Sequence, residues 1–257
     1  MNIIDFYYWG DQCPHNSKMK KVLEMLNNEE RYKINIFDIS NDIETARKLN
    51  IFSPTLLVID NSLRLHGPIS KEKIEQICRG DVPKAKQYKV NIGINVIKAE
   101  LKNNTEVSIF DTCKLCASSS ENVHCSDKGK WIENIRLKFN LPHLGKLHYL
   151  NNNCIGGAEF VPSIIVPYPI PRADDIAFLT CSFGSSEEAD YKSFPLQKLE
   201  EELPKLGYKA LMAIASEDSC FPNGPLEWFL DRNYIDLGEL YYEEMHVAKM
   251  HLVKKIL

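Results

Sequence analysis

The sequence has no apolar run approaching the ~18 residues of a membrane helix, so no membrane association is expected. It opens Met1-Asn2-Ile3-Ile4-Asp5, without the basic stretch and apolar core of a secretory signal, which predicts a soluble, cytoplasmic protein with reduced thiols. Positive charge is not in excess either. The 31 lysines and arginines against 35 acids give a net charge of −4 and a pI near 6.0, which lacks the basic footprint of a nucleic-acid binder. There is no internal repeat, low-complexity tract or charged tail, and nothing that reports an oligomeric state. Disorder is not expected at 44% hydrophobic residues and a mean hydropathy of −0.28.

What is present is ordered by apolar periodicity. Residues 3–8 form an apolar, aromatic run that predicts a buried strand, and Met19, Val22, Leu23 and Leu26 behind Pro14 mark one face of a helix. Tyr32 to Ile39 alternates as a second strand, and Asn41 with Glu44 reads as the cap and reciprocal partner of a short helix. Residues 55–59 and 63–65 make two further strands, and Ser70 caps a last helix bearing Ile74 and Ile77. This is a complete small α/β unit, and the polar, proline-containing residues 81–86 read as a linker. Beyond it, residues 88–112 look extended, residues 113–127 are polar and cysteine-rich, and Trp131, Ile132, Ile135 and Phe139 share a helical face. A hairpin turning at residues 151–153, a strand over 176–183, a helix ended by Gly207, a strand over 208–215, a short helix opened by Pro225 and two long final strands follow.

Cys13-Pro14 follows a strand and opens a helix, where unpaired backbone N–H groups and the helix dipole would stabilise a thiolate. Residues 6–16, Phe6-Tyr7-Tyr8-Trp9-Gly10-Asp11-Gln12-Cys13-Pro14-His15-Asn16, together with Ser53-Pro54-Thr55, resemble the thioredoxin and glutaredoxin family. The resemblance implies a cis peptide bond before Pro54, with that proline against Cys13. The family's dithiol pattern would put a second cysteine where Asn16 stands, so only mixed-disulfide chemistry is open to Cys13.

The second part resembles the GNAT family of N-acetyltransferases, with a YoaP-like branch the nearest kind. The residues that carry this are 156–162 (Gly156-Gly157-Ala158-Glu159-Phe160-Val161-Pro162), 176–183, 196–211 and 225–234. The expected fold class is therefore α/β, a thioredoxin-like domain over residues 1–82 followed by an acetyltransferase-like domain over residues 88–257. In such a fold acetyl-CoA or another acyl-CoA lies between two neighbouring parallel strands. Cys181, Ser182 and Phe183 would flank its pantetheine, and Lys192, Ser193 and Phe194 its pyrophosphate at a helix start. Glu159 is where a base would sit, unless it is a hydrogen-bonded strand residue, and Cys220 lies on the expected substrate side. Two features depart from the family. The phosphate turn, residues 185–194, has no glycine and three acids, Glu187, Glu188 and Asp190, which would have to point into solvent. The usual tyrosine acid falls near Phe229, which has no proton to give.

Cys113, Cys116, His124 and Cys125 are enough ligands for tetrahedral zinc, although zinc ribbons space both ligand pairs and here His124 and Cys125 are adjacent. Free thiols in a substrate-facing loop and plain structural cysteines are the other readings. Three functions stay open at this point: an N-acyltransferase acting on a small-molecule or thiol-bearing substrate, a catalytically degenerate binding or scaffold protein, and a monothiol oxidoreductase working through Cys13.

Overall fold

The computed structural model describes residues 1–89, 95–117, 125–184 and 189–257. The chain begins with a four-stranded sheet. Strands β1 (Asn2–Tyr8), β2 (Tyr32–Asp38), β3 (Thr55–Ile59) and β4 (Leu63–Leu65) lie in the order β2-β1-β3-β4, with β1 parallel to β2 and antiparallel to β3. Helix α1 (Pro14–Asn27) buries Met19, Val22, Leu23 and Leu26, the face that its spacing predicts, against Ile4, Phe6 and Leu57 of the sheet. Ser70 caps α3 (Lys71–Cys78) by accepting from the Lys73 N–H at 3.2 Å. The cap of α2 (Ile43–Lys48) differs from expectation: Asp42, not Asn41, accepts from the Thr45 N–H at 2.9 Å.

A seven-stranded sheet follows, built of β5 (Glu100–Asn103), β6 (Gly145–Leu150), β7 (Asn153–Pro162), β8 (Ile176–Gly184), β9 (Ala210–Ser216), β10 (Ile235–Glu243) and β11 (Ala248–Ile256). Their order is β10-β11-β9-β8-β7-β6-β5. All pairs are antiparallel except β8 and β9, which α6 (Ser193–Glu202) connects as a crossover. Residues 88–112 are less extended than their alternation predicts: β5 is short, and α4 (Ile109–Ala117) is already helical. Helices α5 (Cys125–Phe139) and α7 (Leu226–Leu230) complete the chain. Every residue of β9 is buried, as befits a central strand with helices on its faces.

The two sheets do not keep separate cores. Trp9, Ile39, Phe52 and Leu56 of the first part belong to the same apolar cluster as Ile132, Phe160, Tyr168 and Phe178. Tyr168 sits edge-on to Trp9 at 5.5 Å and to Phe178 at 5.9 Å, so one ring bridges the two sheets. Arg64 and His66 reach Glu243 at the end of β10, at 2.9 Å and 2.8 Å.

The cis peptide bond expected at Pro54 is not found. Among the described residues the cis bond is Phe221–Pro222, and Ser53–Pro54 is trans. Trans is the cheaper isomer for any X–Pro bond. Here the Pro54 carbonyl accepts from the Trp9 N–H at 3.0 Å while the Ser53 hydroxyl donates to the Thr55 carbonyl at 2.9 Å, so the segment is held without needing the rarer isomer.

Candidate functional site

The strands β8 and β9 are in register only for Ile176–Ala210, Ala177–Leu211 and Phe178–Met212. Beyond Phe178 they part, while β8 stays paired to β7 as far as Gly184 opposite Gly156. Gly156 is needed at that end because a Cβ there would lie 2.7 Å from the Tyr191 carbonyl oxygen. The parting leads toward the N-terminus of α6, where a helix offers unpaired amides to an anion.

Two amides there, that of Ser193 and that of Lys192 just before the helix, are already taken. The Asp190 carboxylate accepts from the N–H groups of Lys192 at 2.9 Å and Ser193 at 2.8 Å, and also from the Ser193 hydroxyl and from Arg232. Asp190 is only 3% exposed. Asp190 therefore does not point into solvent, as an acyl-CoA bound at this turn would need it to: its charge is the one that the helix start selects. Ser185, Ser186, Glu187 and Glu188 lie outside the described residues. Lys192 also departs from its expected role. Its ammonium donates to the Asn223 carbonyl at 2.7 Å and lies 4.9 Å from the centre of the Trp228 ring, so it bridges the cleft toward the 219–224 turn rather than facing α6's amides. Burial disfavours its charge, which the neighbouring Cys181, Cys220 and Asp190 help to retain. Phe194 turns its ring toward His148 at 5.5 Å. Ser182 is buried, and its hydroxyl has no hydrogen-bond partner among the described residues.

A second polar cluster lies deeper, around Glu159. This carboxylate is 2% exposed and accepts from Lys128 at 2.6 Å, Thr180 at 2.9 Å, Asn104 at 3.0 Å and Gln12 at 3.2 Å. Lys128, equally buried, donates as well to the Gln12 carbonyl and lies over Trp131. With its oxygens engaged by a cation and three neutral donors, Glu159 is the hydrogen-bonded strand residue of the two readings offered for it, not a free base. Cys181 is its direct cross-strand partner, and Cys13 follows Gln12 in the chain. The structure thus brings Cys13, Glu159 and Cys181 together, and Lys192 lies near both Cys181 and Cys220.

The thiolate expected at Cys13 is not favoured. Desolvation outweighs the His15 backbone N–H and Lys128, and pushes its pKa up to about 11. Cys181 rises to about 12, chiefly by desolvation and then by the charges of Glu159 and Cys13. Cys13 keeps part of its surface, but the protein packed around the thiol disfavours its charge more than the helix start favours it.

For zinc, His124 and the side chains of Cys113, Cys116 and Cys125 lie outside the described residues. Among the described residues no group of His, Cys, Asp and Glu has a metal-binding arrangement. No helix is long and apolar enough to cross a membrane among the described residues. Phe229 is fully buried against Trp228 and Tyr234, in keeping with its lack of a proton to donate.

No protein-family model and no curated protein matches the chain. Solved structures are similar to about 62% of it. The ribosomal-protein-alanine N-acetyltransferase of Brucella melitensis is 14% identical, with a TM-score of 0.48 over 62% of this chain and 99% of that one. An N-acetyltransferase of Staphylococcus aureus Mu50 is 13% identical, with a TM-score of 0.47 over 62% and 99%. The PaiA N-acetyltransferase of Thermoplasma acidophilum, in complex with coenzyme A, is 12% identical, with a TM-score of 0.42 over 63% and 100%.

Sequence reasoning missed Lys128, Gln12 and Asn104, which meet Glu159 from three distant segments. Asp190 carried a usable signal. It is an acid just ahead of a helix start, where the positive end of the helix dipole and the free N–H groups of Lys192 and Ser193 favour a carboxylate.

Proposed function

We propose that this chain is an acyl-CoA-dependent N-acyltransferase-like protein: residues 88–257 form a GNAT-like domain, and residues 1–82 form an appended single-cysteine thioredoxin-like module. One observation carries the acyltransferase reading. The parallel strands β8 and β9 part after Phe178 and Met212 with α6 starting at the open end, which leaves a strand edge for an extended thioester arm. The strand order β2-β1-β3-β4, with Cys13 at the start of α1, supports the thioredoxin-like reading, although the trans bond before Pro54 removes one of its marks. The acceptor would be a small molecule or a thiol-bearing compound, met among Cys13, Cys181 and Cys220.

The start of α6 does not fit a pyrophosphate as it stands, because Asp190 occupies two of its amides. The same contact, with the Glu159–Lys128 pair, favours a second reading, a binding protein built on a degenerate transferase fold. Calorimetry of acetyl-CoA against the full chain separates the two. Saturable heat at micromolar to millimolar acetyl-CoA supports the transferase-like reading. The absence of heat at millimolar concentration sinks it in favour of the binding protein. Running the titration with and without a chelator shows whether the cysteine cluster contributes.

A further inference from the structure

A cavity of about 340 Å³ lies between the first sheet's loops, α5 and the loop that follows β7, and neither Glu159 nor any cysteine lines it. Its size falls at the lower end of the ~300–1,000 Å³ usual for small-ligand sites. Trp9, Trp131 and Phe139 supply aromatic wall, and Arg172 and Lys138 supply charge. Trp131, Ile135 and Phe139 recur at helical spacing along one side of α5, so one face of that helix builds the wall. Trp9 stands edge-on to Trp131 at 5.9 Å and to Tyr168 at 5.5 Å, which fixes the rings.

The polar side of this cavity is one-sided. No aspartate or glutamate lines it. Among the described residues neither Arg172 nor Lys138 forms an ion pair, and neither indole N–H finds an acceptor. Arg47, held by Glu44, stands close enough to Arg172 that partial desolvation and this neighbour both disfavour the Arg172 charge. Two cations and two indole N–H groups set beside aromatic rings, with no acid in the lining, suit an anion that carries its own apolar body.

We propose that this cavity binds a small organic carboxylate with a flat aromatic body, its ring against Trp131 and Phe139 and its carboxylate on Arg172 and Lys138. The site is separate from the β8–β9 cleft and does not depend on acyl-CoA binding.

The test uses the full chain with ¹⁵N-labelled tryptophan, whose three indoles, Trp9, Trp131 and Trp228, give separate N–H signals. Sodium phenylacetate is the probe; phenylacetamide has the same ring without the charge, and sodium acetate has the charge without the ring. Phenylacetate should move the Trp9 and Trp131 signals saturably and leave Trp228 in place. Phenylacetamide and acetate should each bind at least about tenfold more weakly, the change expected when a charged contact or the aromatic burial is lost. Arg172→Glu and Lys138→Glu, both at exposed positions, should each weaken phenylacetate by about tenfold or more while the protein stays folded. The proposal is overturned if neither signal saturates by about 10 mM phenylacetate, beyond the millimolar range of a weak but specific probe. It is equally overturned if phenylacetamide binds as well, if acetate alone reproduces the shifts, or if both charge reversals leave the affinity unchanged.

Discussion

Asp190 accepts a hydrogen bond from the backbone N–H of Ser193 at 2.8 Å, and the same carboxylate takes the Lys192 N–H at 2.9 Å. An internal anion therefore sits where phosphates would have to bind. Asp190→Ala should act in two opposite directions. Loss of the hydrogen bonds from the Lys192 and Ser193 N–H groups and of the Arg232 contact should lower stability by about 1–2 kcal/mol, read by urea denaturation. The freed amides should bind acetyl-CoA about tenfold more tightly than the parent chain, read by calorimetry. Unchanged or weaker binding would mean that phosphates do not use the start of α6.

Cys13 should alkylate slowly. Its pKa is raised to about 11, mainly by desolvation, so only a minute thiolate fraction exists at neutral pH. Its iodoacetamide rate, followed residue by residue by mass spectrometry, should lie below that of a model thiol at pH 7 and climb steadily to beyond pH 10. Because the folded pKa lies above the unfolded one, the neutral thiol's contribution to stability is complete below about pH 9 and fades as pH rises toward 11. Fast labelling at pH 7 in the folded chain would restore the monothiol reading.

How much of this was legible in the sequence follows the range of the interactions. Met19, Val22, Leu23 and Leu26 bury one helix face because their spacing is local, and Leu196, Leu199 and Leu203 do the same in α6 and the 3-10 turn after it. The parallel β8–β9 pair was legible from two apolar strands joined by a crossover helix. The cap of α2 slipped by one residue, since adjacent Asn41 and Asp42 both have suitable side chains. In the sequence Asp190 shows only as a charge, and which amides it meets depends on where α6 begins. The Glu159 cluster was not legible at all. Lys128 meets the Gln12 carbonyl across 116 residues, and no local pattern announces that contact or the desolvation it brings to Cys13.

The Glu159–Lys128 pair should prove costly to break from one side and cheap to remove whole. Both side chains are almost fully buried and lie 2.6 Å apart. Lys128→Met leaves a buried carboxylate with neutral donors only and should cost about 3–5 kcal/mol. The double change Lys128→Met with Glu159→Gln should recover at least half of that loss, since no unpaired charge remains. Chemical denaturation of the single and double variants measures both. Additive losses would show that the two groups do not act as a pair.

The last expectation concerns acid. Glu243 is buried, which by itself would raise its pKa, but hydrogen bonds from His66 and Arg64 and their charges override burial and hold it at about 2. A carboxylate whose pKa is lower folded than unfolded contributes its full stabilisation above the unfolded value, near 4.5, and loses it as pH falls toward 2. The gap corresponds to about 3 kcal/mol. His246, stacked on Phe221 beside His66, is held down to about 4 by burial and then by the His66 charge. A histidine with a lowered pKa also withdraws stability on acidification, from about pH 6.5 downward, so both groups act in the same direction. Melting temperature should therefore fall between pH 6.5 and pH 3. In Glu243→Gln the protein should be less stable at pH 7 by about 3 kcal/mol and should show a shallower decline below pH 4.5, because the titrating carboxylate is gone. Arg64, His66 and Glu243 join the two sheets, so the variant should also expose the segment around Met245 to hydrogen exchange ahead of the β1 strand. If the variant's melting temperature falls below pH 4.5 as steeply as the parent's, Glu243 is not the group that couples this contact to acid.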